Sequence, residues 1–195
     1  MIRTALFAAL FASAGVAVAA PANYDVDPTH TFAGYEVNHL GLSLQHGTFT
    51  KVSGKLSVDE AAKKGSVDVS IDANSLQTFL GDRDTHLKSA DFFNVAKFPT
   101  LTYKSTAVVF KGDKPATVQG NLTLLGVTKP VTLTLARVSK GKNPMTGVET
   151  WGANAVATIK RSDFGMKTFV PAIGDEVKLN ITLEATAAQG AQAAQ

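Results

Sequence analysis

The segment "GDRDTHLKSADFFNVAKFPTLTYKS", Gly81 to Ser105, holds the densest group of reactive side chains in the chain. Asp82, Asp84 and His86 are acid–base candidates, with the cations Arg83 and Lys88 among them. Acid–base catalysis uses such groups, but it also needs a nucleophile or a metal set beside them, and this segment carries neither. The other histidines, His30, His39 and His46, lack the partner spacing of a zinc site. No Gly-x-Ser-x-Gly elbow occurs, and Gly120, Gly126 and Lys129 do not make a phosphate loop. No D-D-x-x-D run, an acidic metal-binding pattern, is present either. The expectation is a protein that is not an enzyme and has no metal and no cofactor. Three readings of the cluster stay open. It is an active site, or a solvated helix face with Asp84 and Lys88 as an i,i+4 pair. Or it is a mouth structure that brings Arg83, His86 and Lys88 to one end of a barrel.

The elements around the cluster read as strands. Val67, Val69 and Ile71 alternate with Asp68, Ser70 and Asp72, and Val177, Leu179, Ile181 and Leu183 alternate with Lys178, Asn180, Thr182 and Glu184. Leu101/Tyr103, Leu122/Leu124 and Leu133/Leu135 follow the same rule. Period two with Val, Ile and Thr enrichment gives strands with one dry face, usually in antiparallel sheets. Turn signals at residues 61–65, 111–115 and 140–144 read as hairpin connections, for about eight or nine strands. The interruption at residues 75–93 has helical spacing, with Asn74 or Ser75 as cap and Gly81 as a break. Pro99 launches the next strand.

A single dry face is hidden in a sandwich or in a closed barrel. Trp151, Ala153, Ala155, Ala157 and Ile159 share one strand face. Small residues there leave room for a ligand, or for bulky side chains from opposite strands.

The composition of the 195 residues is that of a soluble domain, 45% hydrophobic and 18% charged. A net charge of +3 from scattered basic residues excludes nucleic acid as the expected partner. There is no cysteine, hence no disulfide and no thiolate chemistry. Residues 1–19 read as a signal peptide, with Arg3, an apolar run and Ala17-Val18-Ala19 as the cleavage site. The run is marginal for a bilayer span and lacks stop-transfer charges, so no stable membrane insertion is expected. The mature protein is expected in the periplasm, with its domain at 23–187 and a disordered Ala/Gln/Gly tail at 188–195.

The pattern R-D-x-H-L-x-S-x-D-F-F followed by F-P is met at Arg83, Asp84, His86, Leu87, Ser89, Asp91, Phe92, Phe93, Phe98 and Pro99. It resembles the signature of the YceI-like family of periplasmic polyisoprenoid-binding proteins. "DPTHTFAGYEVNHLGLSLQHGTF", "GNLTLLGVTKPVTL" and "RSDFGM" resemble further stretches of that family. The resemblance implies an all-β, lipocalin-like antiparallel barrel of about eight strands. It implies an apolar cavity for an isoprenoid chain, with the polar head at the mouth. On this reading Arg83 is paired with a carboxylate such as Asp163. Phe92 and Phe93 line or plug the cavity, Ala153, Ala155 and Ala157 face into it, and His86 or Arg83 meets the head group. Rival expectations are a carrier of another amphiphile (quinone, fatty acid or fatty amide) and a non-lipid interaction module whose barrel is filled by its own side chains.

Overall fold

The computed structural model describes residues 21–188. Its strands are β1 (Ala22–Val26), β2 (Phe32–His39), β3 (Ser43–Phe49), β4 (Val52–Asp59), β5 (Lys64–Asp72), β6 (Leu76–Gln77), β7 (Thr100–Lys111), β8 (Lys114–Leu124), β9 (Val127–Lys142), β10 (Glu149–Lys160) and β11 (Ile173–Ala187). One helix, α1, covers Gly81–Lys88. β1 and β2 lie end to end along β11, which pairs with β1 through Tyr24↔Ala187 and with β2 through Val37↔Val177. β4 and β3 in turn pair with β1 and β2. Counted as continuous staves, the strands form a closed antiparallel barrel of eight. Closure removes the unpaired edges that an open sheet would expose. The segment read from the sequence as a signal peptide lies outside the described residues. Of the expected tail only Ala188 is described, and its N–H donates to the Asn23 carbonyl at 2.9 Å.

Hairpins at residues 60–63, 112–113 and 143–148 lie at one end of the barrel, close to the turn signals in the sequence. Two glycines permit close approaches within the wall. At Gly54, with φ 150°, a Cβ would sit 2.2 Å from the Asp68 carbonyl oxygen. At Gly120 it would meet the Tyr103 ring at 2.6 Å. That ring crosses β8 and β9, and its hydroxyl is shared between the carbonyls of Val118 at 2.9 Å and Val131 at 3.0 Å.

The break between β1 and β2 is an Asx-type turn. Asp27 accepts from the Thr29 N–H at 2.8 Å and from the Thr29 hydroxyl at 2.6 Å. Its other oxygen meets His30 Nδ1 at 2.7 Å. The His30 ring thus bonds to the Asp27 and Thr29 side chains. Partial burial acts to raise the Asp27 pKa, but the Thr29 and His30 hydrogen bonds outweigh it and bring the carboxyl to about 2. A depressed carboxyl stabilises the fold fully above the unfolded value near ~4, and that contribution is lost as pH falls towards about 2. Asp27→Asn is expected to lower stability by about 1–2 kcal/mol at neutral pH, discounted for the nearby solvent. Urea denaturation should show the variant and the parent converging near pH ~2. A difference that persists unchanged there contradicts the assignment.

The insertion between β5 and β7 departs from the sequence expectation in detail. Residues Ala73–Ser75 form a short 3-10 turn, capped by Asp72, whose side chain accepts from the Asn74 N–H at 2.9 Å. Ser75 instead ties β3's end to this turn, accepting from the Lys51 N–H at 3.1 Å. Gly81 begins α1 and does not break it. β6 is two residues long and pairs with β3 alone, so the wall opens between β6 and β7. Helix α1 and residues 89–98 fill that opening, with Leu87, Phe93 and Val95 packed on the main core.

Candidate functional site

A cavity of about 410 Å³ runs inside the barrel. Its volume falls within the range of small-molecule sites, about 300–1,000 Å³. Its walls are the dry faces of the strands, among them Val69, Leu101, Leu122, Val131, Ile181 and Leu183. Polar side chains gather at one end, where the β2–β3 hairpin, α1 and the 161–172 connection meet. Gln45, Thr78, Arg83, His86 and Arg161 all reach its lining there. The cavity is thus a long apolar space with a polar mouth.

Arg83 is half-buried on α1, and its bonds organise the mouth. Nε donates to Thr78 Oγ1 at 2.8 Å, Nη2 to the Thr78 carbonyl at 2.7 Å and Nη1 to Gln45 Oε1 at 2.9 Å. Asp84 accepts from the Thr78 N–H at 2.7 Å and from its hydroxyl. The expected pairing of Arg83 with Asp163 does not form, because Asp163 is exposed in the 161–164 turn and Arg83 is held by neutral acceptors. Asp84 turns to Thr78, and no ion pair with Lys88 forms. Three of the five guanidinium N–H donors are engaged among the described residues, which leaves two.

The buried arginine is Arg161, the first residue of the "RSDFGM" stretch, which has no role assigned from the sequence. Only 4% of it is exposed, and it donates to three carbonyls: Gly174 at 2.8 Å, Ile173 at 2.9 Å and Met166 at 3.3 Å. Desolvation lowers its pKa, opposed by the charge of Asp175. Asp175 in turn accepts from the Ser162 N–H at 2.9 Å and hydroxyl at 2.8 Å. Together they fix the connection that rims the mouth. Tyr35 also lines the cavity, and burial pushes its phenol up to about 12, so it stays neutral at physiological pH.

The other sequence-predicted residues divide between two spaces. Phe92 is buried, Phe93 half-buried, and both line the main cavity. Phe93 packs edge-on against Phe49 at 5.3 Å between centroids. His86 is exposed at the mouth, with Nε2 3.1 Å from Asp91 Oδ2 and its ring edge-on to Phe92 at 5.1 Å. Ala153 and Ala155 line a second, smaller cavity of about 100 Å³ beside Trp151. Ala157 lines neither and packs against the main core. Val67, Leu133, Ile181 and Leu183 border both cavities and form the partition between them.

Away from the mouth, Asp27, His30 and Glu184 bring ligand-type atoms within 4.8 Å of one another. The hydrogen bonds of the Asx turn account for two of the three.

The YceI-like domain pattern matches residues 24–185, nearly the whole described chain. The chain belongs to the YceI-like family. Protein YceI of Salmonella agona is 41% identical over 179 residues, covering 91% of this chain and 93% of that protein. Among solved structures, Burkholderia cenocepacia BcnA superposes with a TM-score of 0.70 at 26% identity, covering 83% of this chain and 99% of BcnA. A polyisoprenoid binding domain from Saccharophagus degradans, implicated in plant cell wall breakdown, shares the fold. Its TM-score is 0.63 at 18% identity, with 85% of this chain and 98% of that domain covered. The YceI-like barrel thus accounts for the all-β closed architecture and its single helical insertion.

Proposed function

We propose that this YceI-like protein is a carrier that sequesters an isoprenoid-type lipid chain in the barrel, and that it works in the periplasm. The observation that carries the reading is the shape and polarity of the main cavity: about 410 Å³ of mostly apolar space with its charged side chains at one end. An amphiphile with a long tail and a small head has the same polarity. The polyisoprenoid binding domain from Saccharophagus degradans, which shares the fold, supports this choice of cargo. A leader pattern over residues 1–19 supports export.

The driving force is burial of methylene groups. At ~0.8 kcal/mol for each, a five-carbon isoprene unit is worth about 3–4 kcal/mol at most. Such a chain does not cross water unaided, and a closed barrel solves that problem by enclosing it. The two remaining Arg83 donors and the His86 ring stand where a head group would rest, and they suit a hydroxyl or a phosphate. The role proposed is binding, with most hydrogen bonds of the mouth holding its own segments together. A barrel filled by its own side chains would leave no space of this size.

Titration of delipidated protein with prenols of increasing length tests the reading. Affinity should rise with each added unit and level off once the chain outgrows the cavity. Equal affinity for prenols and for fatty acids of matched length would move the proposal to a general amphiphile carrier. No saturable binding of either would overturn it.

A further inference from the structure

Large apolar side chains that remain exposed are unevenly placed on this barrel. Leu40, Leu42 and Leu44 stand on the β2–β3 hairpin, Phe79 and Leu80 just before α1, and Phe169 on the connection into β11. The opposite end of the barrel exposes Met145 and Val109. Hydrogen bonds join the separate segments of the first group. The Leu40 N–H donates to the Ala172 carbonyl at 2.9 Å, and Arg83 reaches from α1 to Gln45 on β3 at 2.9 Å. Thr168 donates to the Asp91 carbonyl at 2.7 Å, and Phe169 packs tilted against Phe92 at 6.1 Å. These segments frame the cavity mouth, and Phe169 belongs to its lining.

The backbone holds these side chains outward at a cost. Leu40, Phe79 and Phe169 have φ of 57°, 64° and 60°, the left-handed region that bulky residues avoid. Each is the tip residue of a different rim segment. Folding pressure alone favours glycine or asparagine there, and polar groups at the surface.

We propose that this rim is a docking surface for a lipid bilayer, on which the mouth of the barrel seats so that the chain passes between membrane and cavity without entering water. Three features favour a bilayer over a second copy of the chain. The apolar rim meets the cavity lining at Phe169, beside the polar groups of the mouth, an opening that an end-to-end dimer would seal. Its side chains project from separate loop tips, which suits shallow insertion among acyl chains to about 5–10 Å better than flat protein packing. The net positive charge, +3 for the full sequence and +2 without the leader residue Arg3, complements anionic head groups, while Lys88 and Lys167 on the rim are balanced by Asp82 and Asp91, so the local anchor is apolar. Among the described residues no helix is long and apolar enough to cross a membrane, so docking of this kind is peripheral. The inference rests on the lipid-cargo reading.

Vesicle flotation tests it, with phosphatidylcholine vesicles prepared with and without phosphatidylglycerol. Leu42 and Phe79, 83% and 88% exposed, line neither cavity. The variant Leu42→Ser/Phe79→Asn removes both apolar tips, and asparagine accepts the left-handed backbone at position 79. The parent protein is expected to float with the vesicles, and the variant to partition at least about tenfold less. Farnesol titration in the absence of vesicles should be the same for both. A parent that stays in solution, or a variant that floats equally well, overturns the docking surface. So does sedimentation showing a dimer that the variant abolishes, without vesicle binding. Loss of farnesol binding with flotation intact overturns the cargo reading and leaves the surface standing.

Discussion

Arg161→Ala is expected to destabilise the barrel by about 3–5 kcal/mol. The guanidinium is buried and donates to the carbonyls of Gly174, Ile173 and Met166. Truncation leaves three acceptors without donors and opens a hole beneath the rim, and each unsatisfied buried acceptor is worth about 1–3 kcal/mol. Arg83→Ala should have a smaller effect, about 1–2 kcal/mol, because that side chain is half-buried and its acceptors lie closer to solvent. Urea denaturation midpoints of the two variants give the comparison. An Arg161→Ala protein within about 1 kcal/mol of the parent contradicts the assignment, as does a larger loss from Arg83→Ala.

Leu133→Trp should weaken binding of a long prenol by about a hundredfold or more, while a short prenol binds as before. Leu133 borders both cavities, so an indole there takes up space at the inner end of the main cavity. A chain that stops short by one isoprene unit loses about 3–4 kcal/mol of burial, which converts to that range of affinity. Overpacking of the partition is expected to lower stability by about 1–3 kcal/mol, small enough for the protein to remain folded. Long and short prenols weakened alike would mean that the wall has collapsed into the main cavity. Unchanged binding of both would mean that the chain never reaches the partition.

The strands were legible because alternation is a local property: Val177 to Leu183 on β11 and Val67 to Ile71 on β5 carry it without interruption. The breaks that split one stave into β1 and β2, and another into β3 and β4, were not. At the first, Asp27 and Thr29 make an Asx turn whose use depends on β11 lying alongside. The alanines on β10 were read as facing a ligand space. Two of them border the smaller cavity, while the main one is walled largely by Leu, Ile and Val. Residue size does not reveal whether opposite walls meet, since the radius of a barrel is set by strand number and tilt. Arg83 stood out because its neighbours are charged. Arg161 did not, because its acceptors are backbone carbonyls of a connection that folds over it, which no side-chain pattern announces.

Extraction of the natively expressed protein with organic solvent, followed by mass spectrometry, tests the central claim most directly. The account predicts one dominant lipid near equimolar amount, with a mass series spaced by isoprene units and a small polar head. An extract without lipid, from protein that also fails to take up any prenol after delipidation, would contradict it.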